Sequence, residues 1–247
     1  MTDPAIIAAI IATFVLAGAV KGVIGLGLPT VSLGLMTAVL DLPSAMALMI
    51  LPSLVTNLWQ GVVGGNLRVL LVRLWPFLGM ATVTIWLGAQ ALSRIELSWL
   101  SALLGVLLIA YSGLNLAGVR LSIGPSQERI AGPGFGLVNG VLTGMTGSFV
   151  MPGVLFLQAI GLPRDQLVQA MGILFTLSTA ALAFALGAGG LWSAELGITS
   201  ALAVIPAILG MVLGTRIRGR LSEAAFRRVF FLSILVLGLY IVVRSLA

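Results

Sequence analysis

Apolar runs separated by short polar breaks divide this chain into eight segments, near residues 5–40, 44–64, 69–92, 97–118, 131–160, 166–188, 194–215 and 224–245. Most are about as long as a helix must be to cross a bilayer, whose hydrocarbon core of about 30 Å takes roughly 20 residues at about 1.5 Å each. The first segment is longer. As one helix, its 36 residues from Ala5 to Leu40 would reach roughly 54 Å, so a straight span does not fit. Inside it stands Gly18-Ala-Val-Lys21-Gly22-Val-Ile-Gly25-Leu-Gly27-Leu-Pro29. The glycines lower helix propensity, and the proline removes a backbone donor and clashes with the preceding turn. Non-helical backbone at membrane depth is tolerated only where protein or a water-filled cavity covers it. Lys21 needs the same shelter, because an ammonium at the bilayer centre costs at least about 3 kcal/mol. The pattern predicts a broken or re-entrant helix lining a polar site.

The longest polar interval, Arg120 to Ile130, falls at the midpoint, and the second half of the chain repeats the first. Gly18-Ala-Val-Lys-Gly22-Val aligns with Gly136-Leu-Val-Asn-Gly140-Val at a shift of 118. Gly27 then aligns with Gly147, Leu42-Pro43 with Leu162-Pro163, and Thr56 with Thr176, while Gly88 and Arg94 match Gly214 and Arg220 at a shift of 126. A long glycine-broken segment heading each half is the mark of an internal repeat. The expected organisation is a single transmembrane domain over 1–247, with repeat one about 5–118, a cytoplasmic linker 119–130, and repeat two about 131–245.

Arginines decide the orientation of the halves. If segments 1 and 5 each cross once, one side carries Arg68, Arg73, Arg120, Arg129 and Arg244, and the other carries seven, which is no bias. If both segments fold back, as re-entrant hairpins or as two short spans, Arg94 and Arg244 lie on one face and the other ten on the opposite one. Ten against two is the asymmetry of cytoplasmic loops, and it makes the halves inverted. The expectation is an all-α polytopic membrane protein of two inverted repeats of about four segments, with both termini outside the cytoplasm.

Composition supports the class and removes several chemistries. The chain is 60% hydrophobic and 8% charged, with mean hydropathy +1.19, beyond what a soluble domain of this size could cover with polar residues. Without a cysteine or histidine, it lacks the usual ligands for zinc and haem and the partners for Ser-His or Cys-His catalysis, so no cofactor and no enzyme activity are expected. The net charge of +6 comes from arginines in or near the connections, not from a nucleic-acid surface. The start, Met-Thr-Asp-Pro, has no positive n-region and leads straight into the first span, so it is expected to be retained. Acidic residues sit at or near segment ends; Glu195 is the least improbable proton carrier among them. No Walker-type phosphate loop is present, which leaves a secondary transporter or channel rather than a pump.

At the two breaks the chain resembles the TauE/SafE family of sulfite exporters of bacteria and archaea. The elements that carry the resemblance are Lys21-Gly-Val-Ile-Gly-Leu-Gly-Leu-Pro29 and Asn139-Gly-Val-Leu-Thr-Gly-Met-Thr-Gly-Ser-Phe-Val-Met-Pro152, each followed by a Leu-Pro turn. Many members have three successive glycines where this chain has Gly25-Leu26-Gly27-Leu28. The resemblance implies a multi-pass protein of a bacterial or archaeal cytoplasmic (inner) membrane that moves a small organic or sulfur oxyanion, such as sulfite or a sulfonate.

The candidate substrate-binding residues are Lys21, Gly25, Gly27, Asn57, Asn139, Thr143, Thr146, Gly147, Ser148 and Thr176. Lys21 either faces an anion where two broken helices meet or snorkels to an interface. The glycines either expose half-helix N-termini, which attract anions, or permit close helix crossings, as Gly136/Gly140 and Gly210/Gly214 do. Ser53, Thr56, Asn57 and Gln60 form a polar stripe on the second segment; Asn57 stands out because its amide needs partners beyond its own helix. The expected partners are a small anionic substrate and the lipid bilayer, and the Gly-x-x-x-Gly faces leave room for a homodimer. The alternative reading is a non-catalytic membrane subunit or scaffold of a larger complex.

Overall fold

The computed structural model describes residues 3–220 and 222–247 and is all-helical; the Met1-Thr2 start lies outside the described residues. Helix α1 (Pro4–Ile24) begins behind Asp3, whose carboxylate accepts the Ala5 N–H at 2.8 Å, with Pro4 at a position where its missing donor is harmless. It ends at Gly25, whose φ of 80° only glycine adopts freely, and whose N–H donates to the Lys21 carbonyl. Helix α2 (Leu28–Thr37) starts behind Gly27 at φ 108°. In the second half, α7 (Pro125–Thr146) stops at Gly147, φ 74°, and α8 (Gly153–Ala159) resumes after Pro152. Both long segments are therefore broken, the first at 25–27 and the second at 147–152.

The other elements are α3 (Leu42–Val62), α4 (Leu67–Val83) with the short α5 (Ile85–Ala89) and a tight turn Gln90–Ser93, α6 (Leu97–Leu116), α9 (Arg164–Ala188), α10 (Ala194–Ile217) and α11 (Glu223–Leu246). Seven helical stretches among the described residues are long and apolar enough to cross a membrane. Their outward faces carry exposed Trp59, Trp75, Trp86, Trp99 and Phe184, as a lipid-facing surface would. The chain is a multi-pass membrane protein.

One boundary differs from expectation. Helix α7 begins at Pro125, so helix occupies the second half of the interval expected as linker 119–130. Pro125 suits a first turn, and Glu128 in that turn is fixed by Arg73 of α4, with contacts of 2.9 and 2.7 Å. The arginine, expected to serve orientation alone, is also half of a two-pronged ion pair.

Glycines set the helix crossings, because small residues let backbones approach where no hydrophobic effect drives association in lipid. A Cβ on Gly18 or Gly22 would overlap the carbonyl oxygen of Ala207 or Met211 on α10, and Gly210 and Gly214 meet the carbonyls of Val15 and Ala19 in return. Likewise Gly136, Gly140 and Gly144 of α7 sit on the carbonyls of Phe77, Ala81 and Ile85. Residue numbers rise together in both crossings, so α1 runs parallel to α10 and α7 parallel to α4–α5. The contact Gly18–Ala207 matches Gly136–Phe77, and Gly22–Met211 matches Gly140–Ala81. These pairs relate α4 to α10 by 207 − 77 = 130, not by the 126 that aligned Gly88 with Gly214. That is one helical turn from the sequence match, since glycines four apart in an apolar background fit several registers equally well.

Helices α3 and α9 cross at Gly61 and Gly172 and are clamped by side-chain amides. Gln60 donates to the Val168 carbonyl at 2.7 Å, and Gln169 donates to the Gly61 carbonyl at 2.9 Å. Pro52 cannot donate to the Leu48 carbonyl within α3; the Ser200 hydroxyl of α10 does so instead, at 2.8 Å.

Candidate functional site

Lys21 stands one turn before the end of α1 and is 4% exposed. Its ammonium donates to the Thr56 hydroxyl at 3.3 Å and to the Asn57 side-chain carbonyl. Thr56 in turn donates to the Pro52 carbonyl at 2.8 Å, which leaves its oxygen lone pairs turned to the ammonium. Both partners come from the polar stripe of α3, one helical turn above Gln60. Both are neutral, and among the described residues no carboxylate pairs with Lys21. A buried cation held by neutral groups has its hydration partly replaced but its charge uncompensated.

This group borders an open cleft. A cleft of about 330 Å3 is lined by Lys21, Gly25, Thr56, Gln60, Thr215 and Arg218. Gly25 lies beside Val168 at the break, while Gly27 packs on Val20 and Phe230. The Asn57 amide nitrogen is buried with no hydrogen-bond partner, an unused donor next to the cation. Thr56, Gln60 and Arg218 were not among the expected binding residues. The helical spacing of the α3 stripe pointed to the first two; nothing in the sequence pointed to Arg218.

The expected residues of the second half form a separate group. Asn139, which the sequence aligns with Lys21, is fully buried, and its carbonyl accepts the Gly153 N–H at 2.9 Å. It thereby caps the start of α8, so the first N–H of that half-helix already has a partner. Its amide nitrogen has none. Thr143 donates to the Ser148 carbonyl at 2.9 Å, and Thr146 donates to the Leu142 carbonyl while accepting the Ser148 N–H at 3.2 Å. These hydroxyls hold the turn at the end of α7. Gly147 packs on Leu33, Met46 and Met49, so the second break meets the first half through α2 and α3 and not through Gly25 or Gly27. Thr176 donates to its own helix at Gly172, 2.7 Å. Glu195 lies exposed at the head of α10.

The two glycine breaks, the lysine preceding one and the asparagine at the equivalent point before the other, span the same stretch that a comparison with known families identifies. No curated protein and no solved structure matches the chain. The sulfite exporter TauE/SafE model matches residues 10–241, from the first turns of α1 to the last turns of α11 and across both breaks, and the chain belongs to that family.

Proposed function

We propose that this protein is a secondary transporter of a small organic or sulfur oxyanion, such as sulfite or a sulfonate, across the cytoplasmic membrane. The family is one of membrane transporters for sulfite-like anions. The observation that carries the reading is Lys21: a buried ammonium whose partners are neutral, beside an unused Asn57 amide donor and a cleft. An anion arriving there supplies the ion pair the lysine otherwise lacks. A single fixed cation with neutral donors binds weakly enough to release its cargo on the other side. Asn139 and the turn of Thr143, Thr146, Gly147 and Ser148 form the corresponding region of the second half.

Inverted repeats belong to the same reading. The parallel crossing of α1 on α10 is answered by that of α7 on α4–α5 with the halves exchanged. Arg244, near the end of α11, donates to the Ala38 carbonyl just beyond α2, so α2 returns toward the side that holds the C-terminus. Ile123, ahead of α7, donates to the Ala159 carbonyl, so α8 returns toward the side where α7 began. Such folding back of both broken segments supports the ten-to-two arrangement of arginines and a cytoplasmic loop near Ser126. Alternating access then comes from one half rocking against the other. A thermal-shift screen of the purified protein against sulfite, sulfate, sulfonates and small carboxylates tests the substrate class. A true substrate at 100 times its Kd stabilises the native state by about 2.7 kcal/mol; no stabilisation by any of these anions would remove the class.

A further inference from the structure

A second polar chamber lies on the other side of the first break from Lys21. It encloses about 90 Å3 and is lined by Leu26 of the break, Tyr111, Gln158, Arg164, Val168 and Arg227. At roughly 10–15 Å3 of such space for one water, this is room for several waters or one small oxyanion. Tyr111 is fully buried, and its hydroxyl has no hydrogen-bond partner, an arrangement that costs free energy unless something occupies the donor. Its ring meets Phe231 edge-on at 5.5 Å, and the Arg227 guanidinium lies over the same Phe231 ring at 5.9 Å. Arg227 is exposed and also lines two outer clefts of about 420 and 810 Å3, both shared with Arg120 and Asn115. Exposed Arg227 and buried Tyr111, with its unused hydroxyl, thus line one chamber. Val168, which lines both the chamber and the Lys21 cleft, separates the two.

We propose that this chamber is a second subsite for a free small oxyanion, bound by the Tyr111 hydroxyl and the Arg227 guanidinium, on the arginine-rich side of the first break. Its place on a transport route rests on the transporter reading; binding at it does not. A lipid headgroup phosphate would offer the same chemistry at these arginines, and the last arm of the test separates the two sources.

The test is calorimetric titration of sulfite into the purified full chain in phospholipid-free detergent, for wild type, Tyr111→Phe and Lys21→Met. The wild type is expected to bind at two sites. Tyr111→Phe deletes only the hydroxyl, so it should weaken one of them by about tenfold or more, with the melting temperature unchanged or raised because no existing partner is lost. Lys21→Met should affect only the other. A single wild-type site that Lys21→Met abolishes and Tyr111→Phe leaves intact overturns the subsite and leaves the Lys21 reading standing. A single site weakened by Tyr111→Phe and untouched by Lys21→Met supports the subsite and removes Lys21. Repeating the titration in phosphatidylcholine and phosphatidylglycerol nanodiscs separates the two sources of oxyanion. Equal affinities support the proposal, whereas loss of Tyr111-dependent binding in phosphatidylglycerol would give the arginines to lipid and overturn it.

Discussion

Gly22→Ala adds one methyl group at the closest point of the α1–α10 crossing. Its Cβ would overlap the Met211 carbonyl oxygen and stand 2.8 Å from the Thr215 nitrogen and 3.0 Å from the Gly214 Cα. All three obstacles are backbone atoms of α10, so no rotamer change relieves the clash, and the helices must separate. Overpacking costs about 1–3 kcal/mol, and an obstacle made of backbone places this case near the upper end. Alanine recovers up to about 1 kcal/mol of helix propensity over glycine, leaving a net loss of about 2 kcal/mol. For a chain of this length that lowers Tm by about 4–8 °C. Gly113→Ala in α6 is the control. Its Cβ would meet nothing within 4 Å, so only propensity changes and Tm should stay level or rise. Tryptophan fluorescence during heating in detergent reads both variants. A Tm for Gly22→Ala at or above wild type would refute the crossing argument, as would an equal fall in Gly113→Ala. Because Lys21 adjoins Gly22, a displaced α1 also shifts the ammonium relative to Thr56 and Asn57, and sulfite affinity should fall with stability.

Asn139→Ala removes the acceptor of the buried Gly153 N–H and should destabilise by about 1–3 kcal/mol; an unchanged melting temperature would show that α8 needs no such cap. Gly147→Leu forces a large side chain into a φ of 74° and against Met46, 2.7 Å from the position of its Cβ, so transport should be abolished with protein still in the membrane, and wild-type flux would exclude the second break from the mechanism. Single cysteines, placed freely in this cysteine-free chain, should be labelled by an impermeant thiol reagent in intact cells at position 247 and spared at position 126; the opposite pattern would reverse the orientation.

Much of the fold was legible because length and chemistry constrained it independently. A largely apolar run of 36 residues does not fit a bilayer as one straight helix, and the glycines within it marked where the helix breaks; the break falls at Gly25–Gly27. Lys21 and Asn57 stand out in the sequence from the cost of placing an ammonium and an amide among apolar residues. Their mutual hydrogen bond, across 36 positions, was not, since periodicity orders residues along a helix and is silent on which helix faces it. The same limit hid the Arg73–Glu128 pair and the capping of Gly153 by Asn139. It also hid which glycine contacts of α4 and α10 resemble one another, which spacing alone left open by a turn. For the arginines around Arg227, position in a connection points only to orientation and lipid contact, because a sequence does not show that Tyr111 and Leu26 stand beneath them.

Transport by the isolated chain tests the central claim most directly. Purified wild-type protein and Lys21→Met, reconstituted at equal density and each checked for folding by its melting temperature, would be loaded with sulfite and diluted into sulfite-free buffer. The wild type should release sulfite with an initial rate that saturates with concentration. Below saturation, Lys21→Met should be slower by about tenfold or more, as expected for loss of a charge-assisted contact of roughly 1.5–3 kcal/mol. Its stability should be level or higher, since an intramembrane charge has been removed. Release no faster than from protein-free liposomes, or equal rates for the two proteins, would contradict the assignment of Lys21 as the counter-charge of a transported oxyanion.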